Sequence, residues 1–96
     1  MPVSSPELNK GLQTKLKKYA IDLTNAVQQT HVDGHVEIVG YLRNGLGAKI
    51  EITNLEQIEN EDIDFWQNLA RDSGAQRVNF VADFGAGKIT FDVEYK

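Results

Sequence analysis

The sequence predicts an α+β fold: a two-layer sandwich in α-ββ-α-ββ order, with a four-stranded antiparallel sheet and two helices on one face. Three observations predict it. Apolar residues recur at three- and four-residue steps from Leu8 to Val27 and again from Ile63 to Ala70. Each run is followed by two stretches of alternating apolar and polar residues, and glycines fall where the alternation breaks. At 96 residues the chain fits one domain, 1–96, with a single core.

The first helix opens on Ser5-Pro6-Glu7: a serine cap, a proline at the first helical position and an acid in the first turn. Leu8, Leu12, Leu16, Tyr19, Ala20, Leu23 and Val27 form its stripe, over about 25 residues or roughly 37 Å. Asp33-Gly34 ends the connection that follows. Val36, Ile38, Gly40 and Leu42 then alternate with Glu37, Val39, Tyr41 and Arg43, and the second strand sets Ala48, Ile50 and Ile52 against Lys49 and Glu51. A two-residue turn at Asn44-Gly45 would place Ile38 opposite Glu51. Opposed residues share a face, so the pattern favours Ile38 opposite Ile52 and an odd loop such as Asn44-Gly45-Leu46.

Asn54-Leu55-Glu56-Gln57 and Asn60-Glu61-Asp62 both read as helix entries; the second is favoured as the main start, which makes residues 53–59 a connection. Its stripe is Ile63, Trp66, Leu69 and Ala70, with Phe65 at the margin and Trp66 as core anchor. Ser73-Gly74 is a glycine stop signal. Val78, Phe80, Ala82 and Phe84 alternate with Asn79, Val81 and Asp83, and Ile89, Phe91, Val93 and Tyr95 with Thr90, Asp92 and Glu94. An even loop, either Gly85-Ala86 or Gly85 to Lys88, keeps the aromatic faces together, with Phe80, Phe84, Phe91 and Tyr95 expected beneath the helices.

Composition excludes several functions. Apolar residues make up 41% and charged residues 25%, as in ordinary globular proteins. Without cysteine, thiol catalysis, thiolate metal sites and disulfides are excluded. No apolar run approaches bilayer-spanning length, so a cytoplasmic protein without membrane attachment is expected. A core this small would gain from a homodimer, and a structural or self-assembling subunit that uses a sheet edge or the open face is one alternative reading of the chain.

Charge is unevenly distributed within the net of −4. Residues 1–31 carry Lys10, Lys15, Lys17 and Lys18 against Glu7 and Asp22, whereas residues 55–74 carry six acids against Arg71 alone. Five of those acids, Glu56, Glu59, Glu61, Asp62 and Asp64, gather where the second helix starts. The helix dipole favours negative charge there, and the same residues form a candidate surface for a basic protein partner. The four lysines are the alternative, a nucleic-acid-binding patch, although a solvated helix face accounts for them more simply. A sheet that reads RNA needs stacked aromatics and positive charge. The open face predicted here offers Glu37, Tyr41, Glu51, Asn79, Asp83, Asp92 and Glu94.

No catalytic constellation stands out. His31 and His35 flank Asp33-Gly34, which breaks the helix that would align them. No further ligand follows at a metal-binding spacing, so they read as two solvated loop histidines. Gly85-Ala86-Gly87-Lys88 departs from the phosphate-loop pattern at Ala82 and Ile89, and it joins two strands rather than a strand and a helix. Serines lack a nucleophile-elbow context. We expect no enzyme, no cofactor and no metal.

The C-terminal stretch Gly87-Lys88-Ile89-Thr90-Phe91-Asp92-Val93-Glu94-Tyr95, preceded by an apolar strand and a helix, resembles the ending of YezG-like immunity proteins, which neutralise bacterial toxins by binding them. The α-ββ-α-ββ order is similar too. The resemblance implies a non-enzymatic acidic binder, and it assigns no site residue.

Overall fold

The long apolar stripe becomes α1, Lys10–Thr30. A computed structural model of the chain describes residues 10–41 and 46–95, so the Ser5-Pro6-Glu7 cap and Leu8 lie outside the described residues. Leu12, Leu16, Tyr19, Leu23, Ala26 and Val27 are buried along one side of α1, as spacing of three and four residues requires. The helix ends beneath its own connection. Gly34 N–H donates to the His31 carbonyl at 2.9 Å, and a Cβ at Gly34 would run into Val27.

Four strands follow in pairs: β1 His35–Tyr41 and β2 Gly47–Thr53, then β3 Arg77–Asp83 and β4 Lys88–Glu94. Their order across the sheet is β1-β2-β4-β3, and every neighbouring pair is antiparallel. Between the pairs lies α2, Asn60–Asp72. Three cross-strand rows face the helices: Val36-Ile52-Ile89-Ala82, Ile38-Ile50-Phe91-Phe80 and Tyr41-Ala48-Val93-Val78. Ile50, Ile52, Ile89, Phe91 and Val93 are fully buried against Tyr19, Leu23, Val27 and Trp66, in one cluster that joins both halves of the chain.

The first hairpin corrects the predicted register. Ile38 lies opposite Ile50, and Val36, not Ile38, meets Ile52. The parity argument against an Ile38–Glu51 pair holds, but a bulge between Ile38 and Gly40 then shifts the pairing to Gly40–Lys49 and Tyr41–Ala48. One extra residue, Val39, moves every later side chain to the opposite face. Tyr41 therefore leaves the open face on which it was expected and, still 53% exposed, borders a groove with Leu16 and Ile38 on the helix side. Residues 44 and 45 of the proposed loop lie outside the described residues, as do Leu42 and Arg43.

The second hairpin keeps a single register from Arg77–Glu94 to Asp83–Lys88, around a four-residue turn, 84–87. The even parity is as predicted, but the ladder stops before Phe84. That side chain is 63% exposed in the turn, and Phe80, on the helix-facing side of an outer strand, is 41% exposed. Only Phe91 and Tyr95 of the four aromatics are fully covered. Gly87 has φ +64°, and a Cβ there would collide with the Leu55 carbonyl. The turn and the β2–α2 connection are thus pressed together, and Leu55 N–H donates to the Gly87 carbonyl at 3.0 Å.

α2 stops as its sequence indicates. Gly74 has φ +106°, its N–H donates to the Arg71 carbonyl, and Ala75 N–H reaches back to Ala70. This pair of bonds is the glycine-terminated Schellman arrangement. Ser73 Oγ donates to the Ala70 carbonyl at 2.6 Å and bonds the Tyr95 hydroxyl at 2.8 Å, which ties the helix end to the end of β4.

Candidate functional site

Asn54, with φ +62°, ends β2 in the left-handed region that asparagine tolerates. Leu55 then turns inward and is buried, while Glu56 and Gln57 stay outside. The chain re-enters regular structure at Glu59, whose carbonyl receives the N–H groups of Asp62 and Ile63. The Glu59 side chain makes no capping bond. Ile63, Trp66 and Ala70 fix the inward face of α2, so Glu61 and Asp64 must project outward.

Four of the five predicted acids, Glu56, Glu59, Glu61 and Asp64, are exposed, and none has an ion-pair partner among the described residues. Asp62 differs. Its Oδ2 lies 3.2 Å from His31 Nε2, and the His31 side chain is only 9% exposed. The imidazole also meets the Trp66 ring edge-on, with centroids 5.9 Å apart. His31 is therefore a link between the end of α1 and the start of α2, not the solvated loop residue the sequence suggested. Long-range contacts with Asp62 and Trp66 decide its place, and no local signal reports them.

His35 goes elsewhere. It sits on β1, exposed, with Nε2 3.6 Å from Glu37 Oε1. Among the described residues no group of three or more His, Cys, Asp or Glu could hold a metal ion. Around His31 two shallow hollows open at the surface. One, of about 170 Å³, touches Asp33, Asn54 and Glu56, and the other, of about 340 Å³, touches Glu56, Glu59 and Asp62. Glu56 and Glu59 line these hollows while Glu61 and Asp64 stand outside them on α2, and negative charge so gathered attracts cationic groups and repels anionic ones.

The lysines do not form one patch. Lys15 and Lys17 point about 160° apart on α1. Lys15 lies across the end of α2, with Nζ 3.6 Å from where a Gly74 Cβ would stand, near carbonyls that favour a cation. Lys17 borders the groove beside Tyr41 and Ile38. Lys18 pairs with Asp22 at 2.7 Å on the exposed surface, and the Lys10 side chain lies outside the description. The open face of the sheet runs Glu37-Glu51-Thr90-Val81 in one row and Lys49-Asp92-Asn79 in the next. With Tyr41 on the other side, its described strand residues include no Phe, Tyr or Trp on which a base could stack.

Two buried tyrosines complete the electrostatics. The Tyr19 hydroxyl donates to the Trp66 carbonyl at 3.3 Å. Burial, reinforced by Tyr95, pushes its pKa well above the ordinary value. Burial also raises Tyr95, with the Ser73 hydrogen bond opposing the shift. Both therefore act as neutral hydrogen-bonding groups. Among the described residues no helix is long and apolar enough to cross a membrane. Comparison with protein-family models, curated proteins and solved structures finds no match to this chain.

Proposed function

We propose that the chain is a small, non-enzymatic, cytoplasmic protein-binding module of the immunity or inhibitor type, engaging a basic partner through the acidic start of α2. One observation carries the reading: Glu56, Glu59, Glu61 and Asp64 stand exposed at the start of α2 without ion-pair partners among the described residues, and Glu56 and Glu59 border a polar concavity. Unpaired like charges repel one another, and a basic partner would relieve that repulsion while being steered to the site. The similarity of the β4 stretch to YezG-like immunity proteins points the same way.

Pull-down with a basic partner, such as a toxin encoded beside this chain, tests the reading. Glu61→Lys with Asp64→Lys should abolish capture, and raised salt should weaken it. Asp62 is the poorer choice for reversal because it also holds His31. Capture that survives charge reversal at Glu61 and Asp64 overturns the proposed surface.

A further inference from the structure

We infer that the free edge of β3 pairs with the same edge of a second copy of this chain, antiparallel about a two-fold axis at Phe80. β3 is an outer strand of the sheet, so alternate backbone N–H and C=O groups along it face outward. Of the devices that discourage such pairing it carries only the charges at its two ends, Arg77 and Asp83. Its seven residues contain no proline and no lysine, and its ladder to β4 is unbroken. Val81, on the open face, is 73% exposed, and Phe80 on the other face is also uncovered. The opposite edge, β1, is interrupted by its bulge.

Charge complementarity selects the occupant. Arg77 and Asp83 stand at the two ends of β3, three residues either side of Phe80, both exposed and both on the open face. Neither has an ion-pair partner among the described residues, and Asp83 uses only Oδ1, to accept the Ala86 N–H at 3.1 Å. Antiparallel pairing centred on Phe80 sets Arg77 of each copy opposite Asp83 of the other. It also sets Val78 against Ala82, and Phe80 against its own counterpart. A register centred on Asn79 puts Arg77 opposite Val81, and one centred on Val81 puts Asp83 opposite Asn79. Both lose the two charge pairs. Registers of odd offset would oppose the open face of one copy to the helix-bearing face of the other. The interface is isologous and closes at two copies, giving one eight-stranded sheet. Its paired residues, 77–83, include none of the five acids at the start of α2, so its test is separate from that of the proposed partner surface.

Sedimentation of the full chain from about 1 μM to about 1 mM spans the affinities expected of a modest interface. The mass should rise from one chain to two. Arg77→Asp and Asp83→Arg should each raise the dimer dissociation constant at least about tenfold, because each places like charges face to face twice. The double exchange R77D/D83R should return it to within about threefold of the original, since the pairs are re-formed with signs reversed. Circular dichroism at low concentration checks that each variant folds. Amide exchange adds a second readout: β3 protection should grow with concentration in the unmodified chain, and β1 protection should not. A mass of one chain throughout overturns the inference. So does a dimer that both single reversals leave intact, or one that the double exchange fails to restore.

Discussion

The two hairpins differ in how they treat an outer strand. β1 carries a bulge that changes its register halfway along, whereas β3 runs in one register from end to end. The bulge brings Tyr41 to the helix side and breaks the outer edge. Exposed apolar side chains remain on both outer strands, Val39 and Tyr41 on β1 and Phe80 and Val81 on β3, so the difference lies in the backbone. Irregularity on one side and regularity on the other thus give one blunted edge and one open edge in the same sheet.

The largest expected effect contrasts the covered and uncovered members of one row. Phe91→Ala, in a fully buried site on β4, should destabilise the fold by about 3–5 kcal/mol in urea unfolding. Phe80→Ala, directly opposite it with ring centroids 6.0 Å apart, should cost only about 1 kcal/mol in dilute protein, because much of its surface is wet already. Equal losses would erase the difference between centre and edge. Next come the glycines of the two hairpins. Gly87→Ala, at positive φ and against the Leu55 carbonyl, should cost about 2 kcal/mol or more. Gly40→Ala has open space around it and should shift stability by less than about 1 kcal/mol, in the favourable direction if at all. A costly Gly40→Ala would show that the bulge depends on glycine.

Alkaline titration sharpens the comparison between the halves, because Tyr19 and Tyr95 come one from each. Burial raises both folded pKa values above the ordinary tyrosine value of about 10. Their contribution to stability is therefore fully present below pH 10 and is lost as pH rises through the folded values. The unfolded chain ionises first, so stability should fall by about 1.4 kcal/mol per pH unit for each tyrosine held protonated. Tyr19→Phe should make that fall shallower, and a slope unchanged by the substitution would remove Tyr19 as its source. The smallest effect concerns the link between the helices. A double-mutant cycle on His31→Ala and Asp62→Ala should return a coupling of about 0.5–1 kcal/mol, and zero coupling would reduce the 3.2 Å contact to coincidence.

Most of the fold was legible in local pattern. The α1 stripe, the start of α2 at Asn60 and its glycine stop depend on residues within one or two turns of each other, so the sequence displays them directly. The even parity of the second hairpin was readable because β3 and β4 alternate without interruption. The bulge was not. Val39, Gly40 and Tyr41 lack charge, so inserting one residue there leaves no break in the polarity pattern. Phe84 was misplaced because alternation reports a face but not where a ladder ends. His31 was missed for a different reason: Asp62 and Trp66, which define its surroundings, lie thirty or more positions away. Of the candidate site, the sequence displays the acids themselves, whereas the separation of Asp62 from the other four and the dispersal of the lysines around α1 required the packing of the helices.

β4 follows β1, β2 and β3 in the chain, yet it lies between β2 and β3. During translation, at about 5–20 residues per second, β2 has no second neighbour and β3 has none until the segment 88–94 leaves the ribosome. The nascent chain therefore presents unpaired backbone on both strands until that segment emerges. A C-terminal truncation inside β4 would make that transient state permanent, leaving two half-sheets with no common strand.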